Sequence, residues 1–109
     1  MKVSELRKKF GLELLTAENF TDRDIDGCYI GDLLSWVMGR ADSGNVWITI
    51  MNNINIVAVA ALTDVSCLVL CEGVTADESI IQKADEENVI ILKTDKTAYE
   101  LASVFCGEI

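Results

Sequence analysis

The sequence predicts an α/β fold in three layers, with a mostly parallel sheet and helices on both of its faces. One observation is that strand-like and helix-like segments alternate over roughly eighty residues, the pattern of a parallel sheet with helical crossovers. A second is that segments 46–51 and 66–71 show no polar alternation, as strands buried on both faces do. Such strands are parallel neighbours, and segment 54–62 between them can supply the crossover.

The sequence of residues 1–26 predicts one helix, one short strand and a polar connection. Ser4–Phe10 has helix signals at both ends, because Ser4 can cap its start and Gly11 can take the left-handed closing position. Basic residues 7–9 fall in the last turn and favour the helix dipole, so they indicate a helix end and not a binding patch. A short strand over 12–15 and the acidic connection 17–26 follow.

The middle of the chain starts with a short strand at Cys28–Ile30. Asp32 is a suitable cap for a helix that continues to about Arg40. The polar turn 42–45 then leads into the strand that contains Trp47, whose large apolar side chain we expect in the core.

Segment 54–62 is locally ambiguous. Ile56, Val57 and Val59 are β-branched and favour a strand. We predict a helix there nevertheless, because the two buried strands on either side require a crossover.

The last third of the chain continues the alternation. Thr75 and Glu78 form a capping-box pattern that predicts a helix to about Glu87. The final elements are a strand over 89–92 and a helix whose apolar face contains Ala98, Leu101, Ala102 and Phe105.

Composition narrows the function classes. The 109 residues suit one domain spanning 1–109, half of them apolar and 25% charged. No apolar run approaches the roughly 18–20 residues of a membrane span, and the start does not resemble a secretory signal, so we expect a cytoplasmic protein. A net charge of −9 opposes nucleic-acid binding, which depends on clustered Lys and Arg. The absence of histidine removes the usual general base and the commonest metal ligand, so we expect no enzyme, no metal and no cofactor.

Two stretches resemble ligand motifs without the groups those motifs need. Segment 39–46 has the glycine spacing of a phosphate-binding loop, but it lacks the lysine and precedes a strand instead of following one. Asp22, Asp24 and Asp26 alternate as in a calcium loop, but Leu33 stands at the twelfth position, which requires a bidentate glutamate. We therefore expect a turn and a set of solvated carboxylates.

The cysteines predict buried reduced thiols and not a metal site. Cys67 and Cys71 are four apart on one strand, which separates them by about 13 Å, too far to hold one ion together. Cys28 and Cys106 lie in other elements, and we expect all four thiols to be buried.

The turn Met51–Asn55 is the strongest candidate site. It follows a buried parallel strand and precedes a helix, at the edge where α/β sheets collect ligands and helix N–H groups attract anions. The residues that we assign to this site are Thr49, Asn52, Asn53, Asn55 and Gly73. The alternative is that the asparagines only cap the helix and shape the turn, because asparagine tolerates left-handed backbone geometry.

Five segments together resemble the stand-alone DRTGG-domain proteins over nearly the whole chain: Gly31–Ser35, Trp47–Ile50, Asn55–Ala60, Lys83–Glu87 and Tyr99–Ala102. The resemblance implies a fold similar to the N-terminal domain of HPr kinase/phosphorylase. The signature Asp-Arg-Thr-Gly-Gly is absent, and its structural equivalent is expected at the asparagine turn. Related domains stand beside nucleotide-sensing CBS domains in pyrophosphatases and before phosphotransacetylase domains, which implies a regulatory or accessory role.

Two functions follow as expectations. The first is a non-catalytic regulatory module that dimerises and contacts partner proteins, because a short chain this apolar has limited interior for its side chains. Trp36 can belong either to the core or to such an interface. The second is a sensor of a nucleotide or another small anion at the asparagine turn. No phosphotransferase or ATPase activity is expected, since the phosphate cradle and its lysine are missing.

Overall fold

The structure, a computed structural model, describes residues 1–109. The helices are α1 (Val3–Phe10), α2 (Leu34–Arg40), α3 (Asn55–Thr63), α4 (Glu78–Glu86) and α5 (Ala98–Phe105). The strands are β1 (Glu13–Leu14), β2 (Cys28–Ile30), β3 (Val46–Thr49), β4 (Cys67–Leu70) and β5 (Ile91–Lys93). None of the helices has the length and apolar character that crossing a bilayer requires.

The five strands form one sheet in the order β1-β5-β4-β3-β2. Strands β2, β3, β4 and β5 are parallel to one another, and β1 joins one edge antiparallel to β5. At the other edge, β2 pairs only with β3. The predicted α/β fold with a mostly parallel sheet is confirmed.

Strands β3 and β4 are buried along their whole length, as their uninterrupted apolar sequences predict. Their side chains alternate between two apolar cores. Trp47 belongs to the core that α2, α3 and α4 cover, whereas Ile48 belongs to the core beneath α1 and α5. The expected place of Trp47 in the core is therefore confirmed, and both faces of the sheet carry helices.

Segment 54–62 forms helix α3 despite its β-branched residues. Ile56, Val57 and Val59 are buried in the same core as Trp47. The local preference of such residues for strands is worth well under about 1 kcal/mol each, so packing between two parallel strands decides the conformation.

Helix α1 ends as predicted but begins differently. Gly11 closes it in the left-handed conformation, with φ +63°. Its cap position is Lys2, and Ser4 is already inside the helix, so the predicted Ser4 cap is wrong. The Ser4 hydroxyl and N–H instead donate to the Asp22 carboxylate. Asp22 is thus an anchor between α1 and the acidic connection, and the expectation of a merely solvated carboxylate is wrong for this residue.

Helix α4 starts later than the capping-box pattern predicts. Its cap is Asp77, whose carboxylate accepts from the Ile80 N–H at 3.1 Å. Thr75 lies before the helix and cannot cap it. The sequence offers two caps, and aspartate is the better of the two residue types, so the preference for Asp77 is consistent with local capping alone.

Two of the four cysteines are buried and two are exposed. Cys67 and Cys71 are buried in and after β4, as predicted, but Cys28 on the edge strand and Cys106 after α5 are exposed. Burial raises the pKa of Cys67 to about 12, so this thiol stays protonated at neutral pH.

Candidate functional site

The predicted site residues all lie at the carboxyl edge of the sheet. Strand β3 ends at Thr49, and residues 50–54 connect it to α3. Gly73 follows β4, the parallel neighbour of β3, and therefore comes to the same edge. The topology places the asparagine turn where α/β sheets commonly bind ligands.

Asp32 organises this edge, in place of capping helix α2. The helix starts at Leu34, its cap position is Leu33, and no side chain bonds to its first N–H groups. The Asp32 carboxylate instead accepts from the Thr49 hydroxyl at 2.8 Å and from the Ile50 N–H at 3.0 Å. The predicted cap is wrong because Asp32 bonds across to β3, and it ties the end of β2 to the end of β3.

Thr49 is fully engaged inside the protein. Its side chain is 1% exposed, its hydroxyl donates to Asp32, and the same oxygen accepts from the Met51 N–H at 3.1 Å. A hydroxyl donating to a carboxylate resembles a nucleophile with its base, but substrate cannot reach a buried oxygen. Thr49 therefore has a structural role, because its hydroxyl holds the start of the turn in place.

The three asparagines are exposed, and two of them make bonds that shape the turn. The Asn52 amide donates to the Thr75 carbonyl at 3.0 Å, which joins this turn to the segment after β4. The Asn53 side-chain oxygen accepts from the Asn55 N–H at 2.9 Å. The Asn55 side chain makes no hydrogen bond within the protein and is free to contact a ligand.

The N-terminus of α3 offers few free N–H groups. The Asn55 N–H bonds to the Asn53 side chain, the Ile56 N–H to the Asn53 carbonyl at 3.2 Å, and the Val57 N–H to the Ile54 carbonyl at 3.3 Å. A ligand at the turn would therefore meet exposed amides, and the Asp32 carboxylate adds a negative charge nearby.

A shallow groove lies beside Gly73 at the same edge. Gly73 takes a positive φ of +76°, and a side chain there would approach the Asp95 carboxylate at 3.4 Å. The groove has a volume of about 340 Å³, and its lining includes two lysines, Lys93 and Lys96, and two carboxylates, those of Glu13 and Asp95. Neither lysine belongs to an ion pair. Sequence reasoning missed them, although two lysines flanking the end of a strand are a visible signal.

A second feature is an exposed apolar surface around the edge strand β2. It is formed by Ile30, Leu33, Trp36, Ile50 and Ile54, which we call the β2 patch. The segments that carry these residues are neighbours, because the Gly31 N–H bonds to the Ile48 carbonyl, the Asp32 carboxylate accepts from the Ile50 N–H, and α2 packs on α3. Ile30 pairs in register with Ile48 on the sheet face that α1 and α5 cover, whereas Trp36 belongs to α2 on the opposite face, so the patch extends around the β2 edge. These side chains are between 42% and 60% exposed. Arg40 covers one face of the Trp36 ring at 3.7 Å.

Comparison with known proteins identifies a family and solved structures of similar fold. The family model for the DRTGG domain matches residues 5–105. A solved structure is similar in fold: the CBS and DRTGG domains of the regulatory region of Clostridium perfringens pyrophosphatase, complexed with its activator diadenosine tetraphosphate. The TM-score is 0.71 at 15% identity, over 93% of this chain and 44% of that chain. This chain thus spans less than half of that regulatory region. None of the curated proteins matches the chain.

Proposed function

Since the chain belongs to the DRTGG domain family, we propose that it is a non-catalytic regulatory module that forms a homodimer and contacts partner proteins. The observation that carries the proposal is the β2 patch. Five exposed large apolar side chains belong to β2, the start of α2 and the turn after β3, which neighbour one another at this side of the sheet, and Met38 of α2 is exposed as well. Scattered apolar residues are normal on a surface, but contiguous ones mark interaction sites.

The β2 edge also has backbone groups that a second copy can use. Strand β2 has a partner on one side only, so its other side presents unpaired N–H and C=O groups. The opposite edge is the two-residue strand β1. Symmetric contact of two β2 patches would bury both the apolar side chains and this free edge.

The distribution of charge also favours the β2 patch as the contact between the two copies. Two copies with a net charge of −9 each repel one another, so a contact must form where carboxylates are scarce. All five members of the β2 patch are uncharged. Arg40 is the cation beside Trp36, and the nearby Asp32 carboxylate is held by two donors. An apolar centre with charges at its rim is the usual composition of an interface.

We expect Trp36→Glu to convert the dimer to a monomer, because it places a charge at the centre of the apolar contact. Light scattering across micromolar concentrations measures the mass directly. The matched control is Leu62→Glu, which puts the same charge on a side chain that is 74% exposed at the far end of α3. The control should remain dimeric. A monomer mass for the unmodified protein, or equal dissociation by both variants, would contradict the proposal.

A non-catalytic role agrees with the chemistry of the edge. The chain has no histidine, Thr49 is buried, and the Asp32 carboxylate has no accessible nucleophile beside it. We propose that residues 1–109 act as a single domain in the cytoplasm, with a partner protein as the recipient of the regulatory signal. In the fold neighbour the DRTGG domain likewise belongs to a regulatory region.

A second candidate function is the sensing of a nucleotide or another small anion at the carboxyl edge. Lys93 and Lys96 favour it, because they are unpaired and lie in the groove next to Gly73. The fold neighbour is a regulatory region in complex with a nucleotide activator. The residues that we propose for this site are Thr49, Asn52, Asn53, Asn55 and Gly73. Thr49 is buried and supports the turn, and the other four can contact the ligand.

Pyrophosphate and diadenosine tetraphosphate, each with Mg²⁺, are the probes for this second function. Ligand bound to the native state should raise the melting temperature. Asn53→Ala and Lys96→Ala are each expected to abolish that rise, while Lys8→Ala, which removes the same charge from an exposed position on α1, should preserve it. Asn53→Ala also removes the bond to the Asn55 N–H, which lies within the turn and is not a helix cap, since the cap position of α3 is Ile54; a loss of about 0.5–1.5 kcal/mol in stability is expected. If neither probe raises the melting temperature, the asparagines only shape the turn.

A further inference from the structure

A cavity of about 450 Å³ lies at the amino edge of the sheet, opposite the asparagine turn. Its walls are the connection between β1 and β2, the end of α3 and the end of α4. The volume falls within the range of about 300–1,000 Å³ that small-molecule sites occupy. Neither the dimer nor the anion site uses these residues.

The connection that closes this cavity is fixed at both of its ends. Near its start, the Ala17 N–H donates to the Asp85 carboxylate at 2.9 Å, which joins it to α4. Near its end, the Arg23 guanidinium donates to the carbonyls of Val65 at 3.1 Å and Asp64 at 3.2 Å, which joins it to the end of α3. A wall that is already ordered loses little conformational freedom when a ligand binds.

The connection between β1 and β2 is also bonded to helix α1. Arg7 of α1 forms a bidentate ion pair with Glu18, with distances of 2.8 and 2.9 Å. Bidentate geometry restrains direction as well as distance. The acidic connection that the sequence predicts over residues 17–26 is therefore held to α1, α3 and α4.

The inner surface of the cavity combines an apolar floor with one buried donor. Phe20, Val65 and Val89 supply apolar area. Thr16 lines the cavity and is only 8% exposed. Its hydroxyl oxygen accepts from the Ile91 N–H at 3.2 Å, but the hydroxyl hydrogen has no acceptor within the protein. Buried polar hydrogens normally have a partner, so an occupant with an oxygen atom would complete this hydrogen bond.

Most of the charges around the cavity neutralise one another. Arg23, the one cation of the lining, is paired with Asp64 at 3.0 Å. Glu87 is paired with Lys83 of the same helix at 3.2 Å. The guanidinium is thus committed to the protein, so the cavity has no free cation with which to hold an anion.

One carboxylate of the lining, that of Asp85, has no cationic partner. Asp85 uses one oxygen for the Ala17 N–H, and its other oxygen makes no hydrogen bond or ion pair. The C-terminal ends of α3 and α4 both face this cavity, and each carries the negative end of a helix dipole. The Asp85 carboxylate and the C-terminal ends of the two helices together produce a negative electrostatic potential in the cavity, next to its apolar residues.

We propose that this cavity binds a small organic cation, a protonated amine on a short apolar body that also carries an oxygen. The ammonium group pairs with the free oxygen of Asp85. The apolar body lies against Phe20 and Val89, and the ligand oxygen accepts from the Thr16 hydroxyl. The site differs from the anion site in both location and charge preference, so either can fail without the other.

Three probes of equal chain length separate charge from shape: 4-amino-1-butanol, 1,4-butanediol and 4-hydroxybutanoate. Each is titrated to millimolar concentration against the full-length protein, with amide chemical shifts as the readout. Saturable shifts confined to the cavity residues are expected with the amine only. Equal binding of the neutral diol, preferential binding of the anion, or no saturable shift with any of the three overturns the proposal.

Asp85→Asn tests the ion pair, because the amide oxygen can still accept from Ala17 and keep the wall in place. It should weaken amine binding by about tenfold or more. Glu86→Gln removes the same charge from the adjacent residue, which does not line the cavity, and should bind the amine as the unmodified protein does. Equal weakening by both variants would mean general attraction to an acidic protein, which contradicts a defined site.

Ala61→Leu tests the cavity itself. Ala61 lines the cavity from an exposed position on α3, and leucine is a good helix former, so this variant should fold. The added side chain should occupy the ligand space and abolish the amine-induced shifts. Unchanged binding would place the amine elsewhere and overturn the proposal.

Discussion

Replacing Trp47 with alanine is expected to lower the free energy of unfolding by about 3–5 kcal/mol, a typical loss for a buried aromatic side chain. Trp47 is the largest fully buried side chain, lies in β3 between β4 and the edge strand β2, and belongs to the core beneath α2, α3 and α4. Its indole N–H also donates to the Gly31 carbonyl at 2.9 Å. Because small domains have only about 5–15 kcal/mol of stability, this one change should remove a large share of it.

Urea unfolding followed by far-ultraviolet circular dichroism measures this loss. Trp47→Phe is the graded control, because it keeps most of the apolar volume and removes the bond to Gly31. Its loss should be clearly smaller than that of the alanine variant. A loss below about 1 kcal/mol for Trp47→Ala would mean that the core does not depend on this side chain.

Asp32→Ala is expected to reduce the free energy of unfolding by about 1–3 kcal/mol, because it leaves the buried Thr49 hydroxyl without its acceptor. The Ile50 N–H loses the same acceptor. Asp32→Asn keeps an oxygen in place and should lose less than half as much. Chemical denaturation of both variants separates loss of the hydrogen bonds from loss of the charge.

A double-mutant cycle with Thr49→Val tests whether Asp32 acts through Thr49. If it does, the loss caused by Asp32→Ala should shrink once the hydroxyl is absent. Additive losses would instead mean that Asp32 stabilises the fold through another contact, such as the helix start that its position in the sequence indicates.

The fold could be predicted from the sequence because its strongest signals come from whole segments and not from single residues. Apolar segments 46–51 and 66–71 each report burial on both faces, and two such strands force the segment between them to cross over. That requirement predicted α3 correctly where local preferences pointed to a strand. The parallel topology then brings Asn52 and Gly73 to one edge without any knowledge of their side-chain contacts.

Single side-chain partners could not be predicted in the same way. Ser4 and Asp32 have the residue types and positions of helix caps, yet each bonds to a group 18 or 17 residues away, Asp22 and Thr49 respectively. The local sequence cannot decide between a helix cap and a hydrogen bond to a distant residue, because each of these interactions contributes a similar free energy of about 1 kcal/mol. The cavity at the amino edge has the same origin, since its walls come from three separate parts of the chain.

The antiparallel pairing of β1 with β5 sets the order in which this protein can fold during synthesis. Residues 1–14 are synthesised before the rest of this domain, and α1 can bond early to Glu18 and Asp22, but two of their contacts are with its latest segments: β1 pairs with β5, and Phe10 of α1 packs on Phe105 of α5 with ring centroids 5.0 Å apart. Strand β1 and Phe10 therefore lack these two partners while the parallel strands β2 to β4 are translated. Contacts between the two ends of a chain close slowly, because the whole intervening loop must be ordered first. If translation pauses before Ile91, the sheet lacks β5 at one edge and the face beneath α1 lacks α5, and this partly folded species is the one most exposed to chaperones and to aggregation.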